Sequence, residues 1–140
     1  MEQSLVLIKP DGVEHNNVGN IIKKKKKKGL KIEALKMVWL DKELAQEHYQ
    51  EHQGEDYFAG LIDYITSAPL VAIVVSGVEV IKVIRNMTGA TDPVEAAPGT
   101  IRGDLAADLE HGNVIHASDS KESAAREIAL FFSEAEIYSY

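Results

Sequence analysis

The chain has 140 residues and a mass of 15.4 kDa, the usual size of one domain. It has no cysteine, which excludes a disulfide scaffold, a thiol nucleophile and a thiolate-ligated metal. Its net charge is −7 and its pI is near 5.2, so no overall positive field draws it to nucleic acid. No apolar run is long enough to cross a bilayer, and the N-terminal MEQSLVLIKPDG lacks a secretory pattern, which makes the cytoplasm the expected compartment.

In chain order, Ser4-Leu5-Val6-Leu7-Ile8 predicts a buried strand that ends in the turn signal Lys9-Pro10-Asp11-Gly12. Residues 18–28 read as a helix, with Ile21 and Ile22 facing inward and Gly29 just past its end. This helix contains an unbroken run of six lysines, Lys23 to Lys28; taking those six charges away from the net leaves −13 on the rest. Lys25 falls on the inward face, where it must snorkel or fray the helix. In so acidic a chain the run reads as a solvated helix face rather than a patch for nucleic acid or an anionic membrane.

Residues 30–40 predict a second strand, Asp41 caps a helix reaching about His52, and residues 57–65 form a short helix stopped before Pro69. Leu70 to Ser76 is the most strand-like stretch, and residues 78–87 follow as a helix with Val80, Ile81 and Ile84 at helical spacing. Residues 88–112 hold four Gly and two Pro with no clean period, a long loop of the kind that carries function. Residues 113–116 read as a short strand, and residues 119–132 as a helix with a capping pair at Asp119 and Glu122. Strands alternating with helices predict a single α+β domain over residues 1–140. Four strands fit a ferredoxin-like βαββαβ sandwich with a four-stranded antiparallel sheet and added helices.

Several residues in this frame can carry chemistry. His116 ends a short strand and is followed by small residues, so its ring can be presented rigidly to a crevice; imidazole is nucleophilic near neutral pH. Glu127, in the next helix, could fix the tautomer of that ring, although spacing alone favours a solvated glutamate beside Arg126 or Lys121. Lys9, Arg85 and Arg102 are candidate phosphate ligands, with Thr91 and Asn113 as neutral partners; Gly99 and Gly103 would let backbone approach a ligand. No GxxxxGK[ST] or GxGxxG is present. Composition and spacing thus point to an anion-binding crevice with a histidine at its base.

The segment Asn113-Val-Ile-His-Ala-Ser-Asp-Ser120 closely resembles the active-site signature of nucleoside diphosphate kinases. So do Lys9-Pro-Asp-Gly12, Tyr57-Phe-Ala-Gly60, Gly89-Ala-Thr-Asp-Pro93 and Pro98-Gly-Thr-Ile-Arg-Gly-Asp104, in that family's order and over essentially the whole chain. The resemblance implies ping-pong transfer of the γ-phosphate from a nucleoside triphosphate to a nucleoside diphosphate, through a phosphohistidine on His116. It implies that Glu127 and Ser118 hold that ring. It assigns phosphates and ribose to Lys9, Tyr49, Arg85, Thr91, Arg102 and Asn113, and base stacking to Tyr57. It further implies Mg²⁺ bound through the nucleotide and water with no protein metal ligand, and a homo-oligomer, a hexamer or tetramer. The chain departs from the family's pattern at Ala117, commonly Gly; at His15-Asn16-Asn17 and Asn20; near Lys25, where an inward Phe is usual; and in residues 107–112, one residue longer than in many relatives, so that the place of Leu109 in the base pocket is open.

Overall fold

A computed structural model describes residues 1–140. Its four strands are β1 (Glu2–Ile8), β2 (Lys31–Val38), β3 (Leu70–Gly77) and β4 (Ile115–Ala117), in the spatial order β2-β3-β1-β4 with every neighbouring pair antiparallel. This is the expected α+β sandwich. The helices are α1 (Pro10–Glu14), α2 (Val18–Lys27), α3 (Lys42–His48), α4 (Phe58–Ile65), α5 (Val80–Thr88), α6 (Ile101–Leu105) and α7 (Lys121–Phe131).

Alternation along β1 shows why the sheet is covered on both faces. Leu5 and Leu7 pack with Ile62, Ile65, Ile128 and Phe131 from α4 and α7, whereas Val6 and Ile8 pack with Ile21, Ile84 and Ile101 from α2, α5 and α6. β3 lies at the centre and is buried along its whole length, as its unbroken run of apolar residues demands.

Several local expectations differ from what forms, and the stretch 88–112, expected as one long loop, contains the short helix α6, capped by the Thr100 hydroxyl accepting from Gly103 N. Lys9-Pro10-Asp11-Gly12 is more than a turn: Pro10 starts the short helix α1, its fixed φ suiting the first helical position. The helix after Asp41 stops at His48 and continues as a 3-10 turn over Gln50–His52, although Asp41 does cap it, its carboxylate accepting from Leu44 N at 2.8 Å. The last helix is capped by Ser120, whose hydroxyl accepts from Ser123 N at 3.1 Å, rather than by Asp119.

Lys25 neither snorkels nor frays the helix. Its side chain is fully buried one turn after Ile21, and Nζ has no hydrogen-bond partner. Gly29, at φ +87°, takes the left-handed conformation that ends α2 and turns the chain into β2. Burial pushes the Lys25 amine down to about 8, because water no longer supports its charge. The folded state therefore gives up a proton that the unfolded chain keeps until about 10.5, and stability rises with pH between those values. Below pH 8 the buried cation costs on the order of 3 kcal/mol. Lys25→Met should raise stability in urea melts by about 2–3 kcal/mol at pH 7, and its advantage should shrink by pH 10. An unchanged melt at both pH values would show that the amine reaches water.

Candidate active site

Register determines where His116 points. It pairs with Leu7 across β1 and β4, and residues opposite one another in an antiparallel pair share a face. Its ring therefore enters the layer of α3 and α7, while Ile115 and Ala117 join the opposite core. There Nε2 of His116 lies 3.0 Å from Oε1 of Glu127, which is buried on α7. The Ser118 hydroxyl donates to the same Oε1 at 2.7 Å and accepts from Leu5 N at 3.0 Å. Ser118 thus holds the carboxylate rather than the ring. Burial alone would push the Glu127 carboxyl up, but hydrogen bonds and charge from His116 and Ser118 outweigh it and hold the group below the usual carboxylate range. The solvated glutamate favoured by spacing is therefore replaced by a buried partner of the imidazole.

Around that pair lies a cavity of about 640 Å³ lined by Lys9, Tyr49, Tyr57, Arg85, Thr91, Arg102, Asn113 and His116, among others. All the residues singled out from the sequence as phosphate, ribose or base ligands line it. Lys9 follows the last residue of β1, and its Nζ donates to Asn113 Oδ1 at 2.7 Å. Asn113 in turn donates to the Thr91 carbonyl at 3.2 Å. Burial, then the charge of Arg102, push the Lys9 amine down to about 8, against the pull of Asp11. An arriving anion would oppose that shift and favour the charged amine.

Arg102 has a second task that its place in a glycine-rich loop did not disclose. Its guanidinium donates to the carbonyls of Asn113 at 3.2 Å, Gly89 at 3.2 Å and Ile115 at 2.7 Å. It ties the long loop to β4 with three of its five N–H groups and leaves two for a ligand. Gly103 serves this loop rather than a ligand: a Cβ there would lie 2.0 Å from the Ala97 carbonyl oxygen. Arg85, in the last turn of α5, reaches the Ala117 carbonyl at 3.4 Å.

Backbone strain sits two residues before His116. Val114 has φ +69°, a conformation that β-branched residues rarely adopt. Both its peptide groups are claimed: its N–H donates to Asp11 Oδ2 at 2.9 Å, and its carbonyl accepts from Lys9 N at 2.8 Å. Asp11 is itself fixed by the Tyr64 hydroxyl.

Several lining residues have no site role by sequence, His48 and Arg126 among them. His48, at the end of α3, meets the His116 ring edge-on at 4.7 Å and 83°, and neither of its nitrogens has a partner. Burial, then the neighbouring His116, push it down to about 3, so it stays neutral beside that ring. The helical spacing of Leu44, Ala45 and His48 marks that position as inward-facing, which was the available signal. Arg126 also lines the cavity, anchored to the Glu47 carbonyl at 3.2 Å. His48, His116 and Glu127 bring three donor atoms within 4.8 Å of one another. Two of those donors are imidazole nitrogens, a set that suits softer divalent ions rather than Mg²⁺. The remaining carboxylates of the lining, Glu51 and Asp119, are exposed at the rim and build no oxygen cage.

The nucleoside diphosphate kinase family model matches residues 2–137. A nucleoside diphosphate kinase of Pyrococcus furiosus is 57% identical over 142 residues, covering 100% of this chain and 88% of that protein. One from Methanothermobacter thermautotrophicus is 56% identical over 141 residues, covering 100% and 93%. Among solved structures, a halophilic nucleoside diphosphate kinase from Halobacterium salinarum in complex with CDP superposes with a TM-score of 0.96 at 45% identity, covering 99% of this chain and 92% of that one. A transition-state mimic of the Borrelia burgdorferi enzyme with bound vanadate and ADP gives 0.93 at 37% identity, covering 99% and 91%.

The three carbonyls that Arg102 holds make it irreplaceable by lysine, whose single head cannot reach all of them. Arg102→Lys should lower stability by about 2–4 kcal/mol through the orphaned carbonyls and weaken pyrophosphate binding at least about tenfold. Thermal melting and calorimetry on the same sample check both effects.

Proposed function

The chain belongs to the nucleoside diphosphate kinase family, enzymes that move a phosphoryl group from a nucleoside triphosphate to a nucleoside diphosphate, and we propose that it does so through a phosphohistidine on His116. The observation that carries this reading is the His116–Glu127 pair at the base of a cavity ringed by Lys9, Arg85 and Arg102. Glu127 occupies Nε2, so the Nδ1 lone pair is the one free to attack. Nδ1 attacks the γ-phosphorus, the bond from that phosphorus to the β-phosphate oxygen breaks, and the diphosphate leaves with the electron pair. A second diphosphate then attacks the phosphohistidine through its terminal phosphate oxygen, and Nδ1 recovers its lone pair. No proton is gained or lost on the ring in either half.

The remaining lining residues position the nucleotide and neutralise charge, which is most of what phosphoryl transfer asks of a protein. Lys9, Arg85 and Arg102 face the phosphates; Tyr49, Thr91 and Asn113 supply neutral donors to phosphate and ribose. Tyr57 is half exposed, its hydroxyl 2.8 Å from His52 Nδ1, and offers a ring on which any base can stack. Leu109 is exposed across the same outer cavity, which supports it as the opposing wall. The lining fits Mg²⁺ carried on the phosphate oxygens, with Asp119 and Glu51 as the carboxylates on offer, and no protein cage. When bound, that ion neutralises charge developing on the oxygens.

We also propose a homo-oligomer, of the hexameric or tetrameric kind. β2 is an edge strand; Leu35 and Met37 on it and Trp39 just past its end, at alternate positions, are 52%, 62% and 64% exposed. Such a stripe on an unpaired edge is a surface that a second copy can cover. No helix is long and apolar enough to cross a membrane. The reading includes a cytoplasmic location, with the nucleotide pool.

With γ-labelled ATP the protein should take up label that is stable in alkali, lost in acid, and discharged by added nucleoside diphosphate. His116→Ala should take up none and lose essentially all phosphate exchange between ATP and a different diphosphate. Label on that variant would move the nucleophile to another residue.

A further inference from the structure

The phosphoryl-transfer reading gives His48 no task. Its ring is only 4% exposed, and neither nitrogen has a hydrogen-bond partner. A buried imidazole left this way forfeits the bonds that water gives its nitrogens, a cost that a phenyl ring in the same place would not carry. His48 meets the His116 ring edge-on at 4.7 Å, and one donor atom each from His48, His116 and Glu127 lie within 4.8 Å of one another. Glu127 is buried, and the Ser118 hydroxyl orients its Oε1 from behind at 2.7 Å. Two imidazoles and a carboxylate steadied by its own hydrogen bond thus converge at the cavity floor.

From these three groups we infer a zinc site, one whose occupation silences His116 by moving the proton on its ring. Zn²⁺ takes imidazole nitrogen and carboxylate oxygen at about 2.0–2.2 Å, and two His and one Glu with a fourth position open is a set that it accepts. Bonds of that length place tetrahedral donors roughly 3.3 Å apart. His116 Nε2 and Glu127 Oε1 are 3.0 Å apart already. His48 closes the remaining gap by turning its ring, which no hydrogen bond holds back. The Ser118 bond to Glu127 is the kind of outer support that fixes a metal-binding carboxylate. Lys9, Arg85, Arg102 and Arg126 line the same cavity and oppose a dication, so the zinc is a reversible occupant and not a structural one.

The exchange balances without loss of a proton. In the metal-free ring Nε2 carries the proton that Glu127 accepts. Zinc takes the Nε2 lone pair, and the proton moves to Nδ1, because a neutral imidazole that gives one nitrogen to a metal keeps its N–H on the other. Nδ1 then has no lone pair with which to attack phosphorus. The silencing rests on the phosphohistidine reading; the zinc site itself does not.

The test is calorimetric titration of ZnCl₂ into the full metal-free chain without nucleotide. One zinc should bind per chain. His48→Phe, which keeps the ring volume, and Glu127→Gln should each weaken it at least about tenfold. His111→Asn, which dissolves the exposed pair with Asp108, should leave it unchanged. Nitrogen NMR of histidine-labelled protein should find the His116 proton on Nε2 without zinc and on Nδ1 with it. With free Zn²⁺ buffered above the dissociation constant, label uptake from γ-labelled ATP should fall at least about tenfold and recover once the zinc is chelated. Absent binding, binding that both variants retain, a proton that stays on Nε2, or undiminished uptake at that buffered zinc would each overturn the inference. Label on His116→Ala would instead sink the phosphohistidine reading and leave the titration and its variants as they stand.

Discussion

The proposed chemistry depends on one hydrogen bond, between a ring nitrogen of His116 and a buried oxygen of Glu127. An imidazole offers two nitrogens, and a free ring would present either one to a substrate. The carboxylate on α7 claims one of them, and Ser118, held by Leu5 on β1, keeps that carboxylate in place. The pair depends on the sheet: β4 pairs with β1 in a register that sends His116 toward α7, and a slip of one residue would send it into the opposite core.

The second constraint is the crowding of positive charge. Lys9 and Arg102 are both buried; burial and then the charge of Arg102 lower the affinity of Lys9 for its proton, and burial and then Arg85 lower that of Arg102. The protein holds them together with neutral acceptors: the Asn113 amide for Lys9 and three backbone carbonyls for Arg102. The strained Val114, clamped by Asp11 and Lys9, lies between two of those carbonyls, those of Asn113 and Ile115. The resting site is therefore short of negative charge, which the phosphate tail of the proposed nucleotide would supply. Strain and like-charge proximity of this kind are expected where positioning serves function.

Much of this was legible in the sequence, for reasons that differ by element. β3 and α5 were visible because burial imposes an apolar run on the one and helical spacing on the other. The family motifs marked the cavity lining, since each carries a residue whose type the chemistry requires. Glu127 was ambiguous by spacing because a helix glutamate gives no sign of whether it faces solvent or a strand end; only the register of β4 decides that. The triple backbone bond of Arg102 was invisible because it joins Gly89, Asn113 and Ile115, distant in sequence, through carbonyls that every residue has. His48 was overlooked for a similar reason, its role being set by the ring it touches. Lys25 was placed inward correctly, but its burial without a partner violates a local rule that sequence patterns alone would have enforced.

The central claim is that Glu127 reserves Nε2, leaving Nδ1 to accept phosphate. Phosphorus and nitrogen NMR of the phosphorylated, isotope-labelled protein identifies which ring nitrogen carries the group. The account predicts phosphate on Nδ1 of His116 alone, with a proton retained on Nε2. Phosphate on Nε2 would mean that the Glu127 bond breaks or turns during the reaction, and would contradict it.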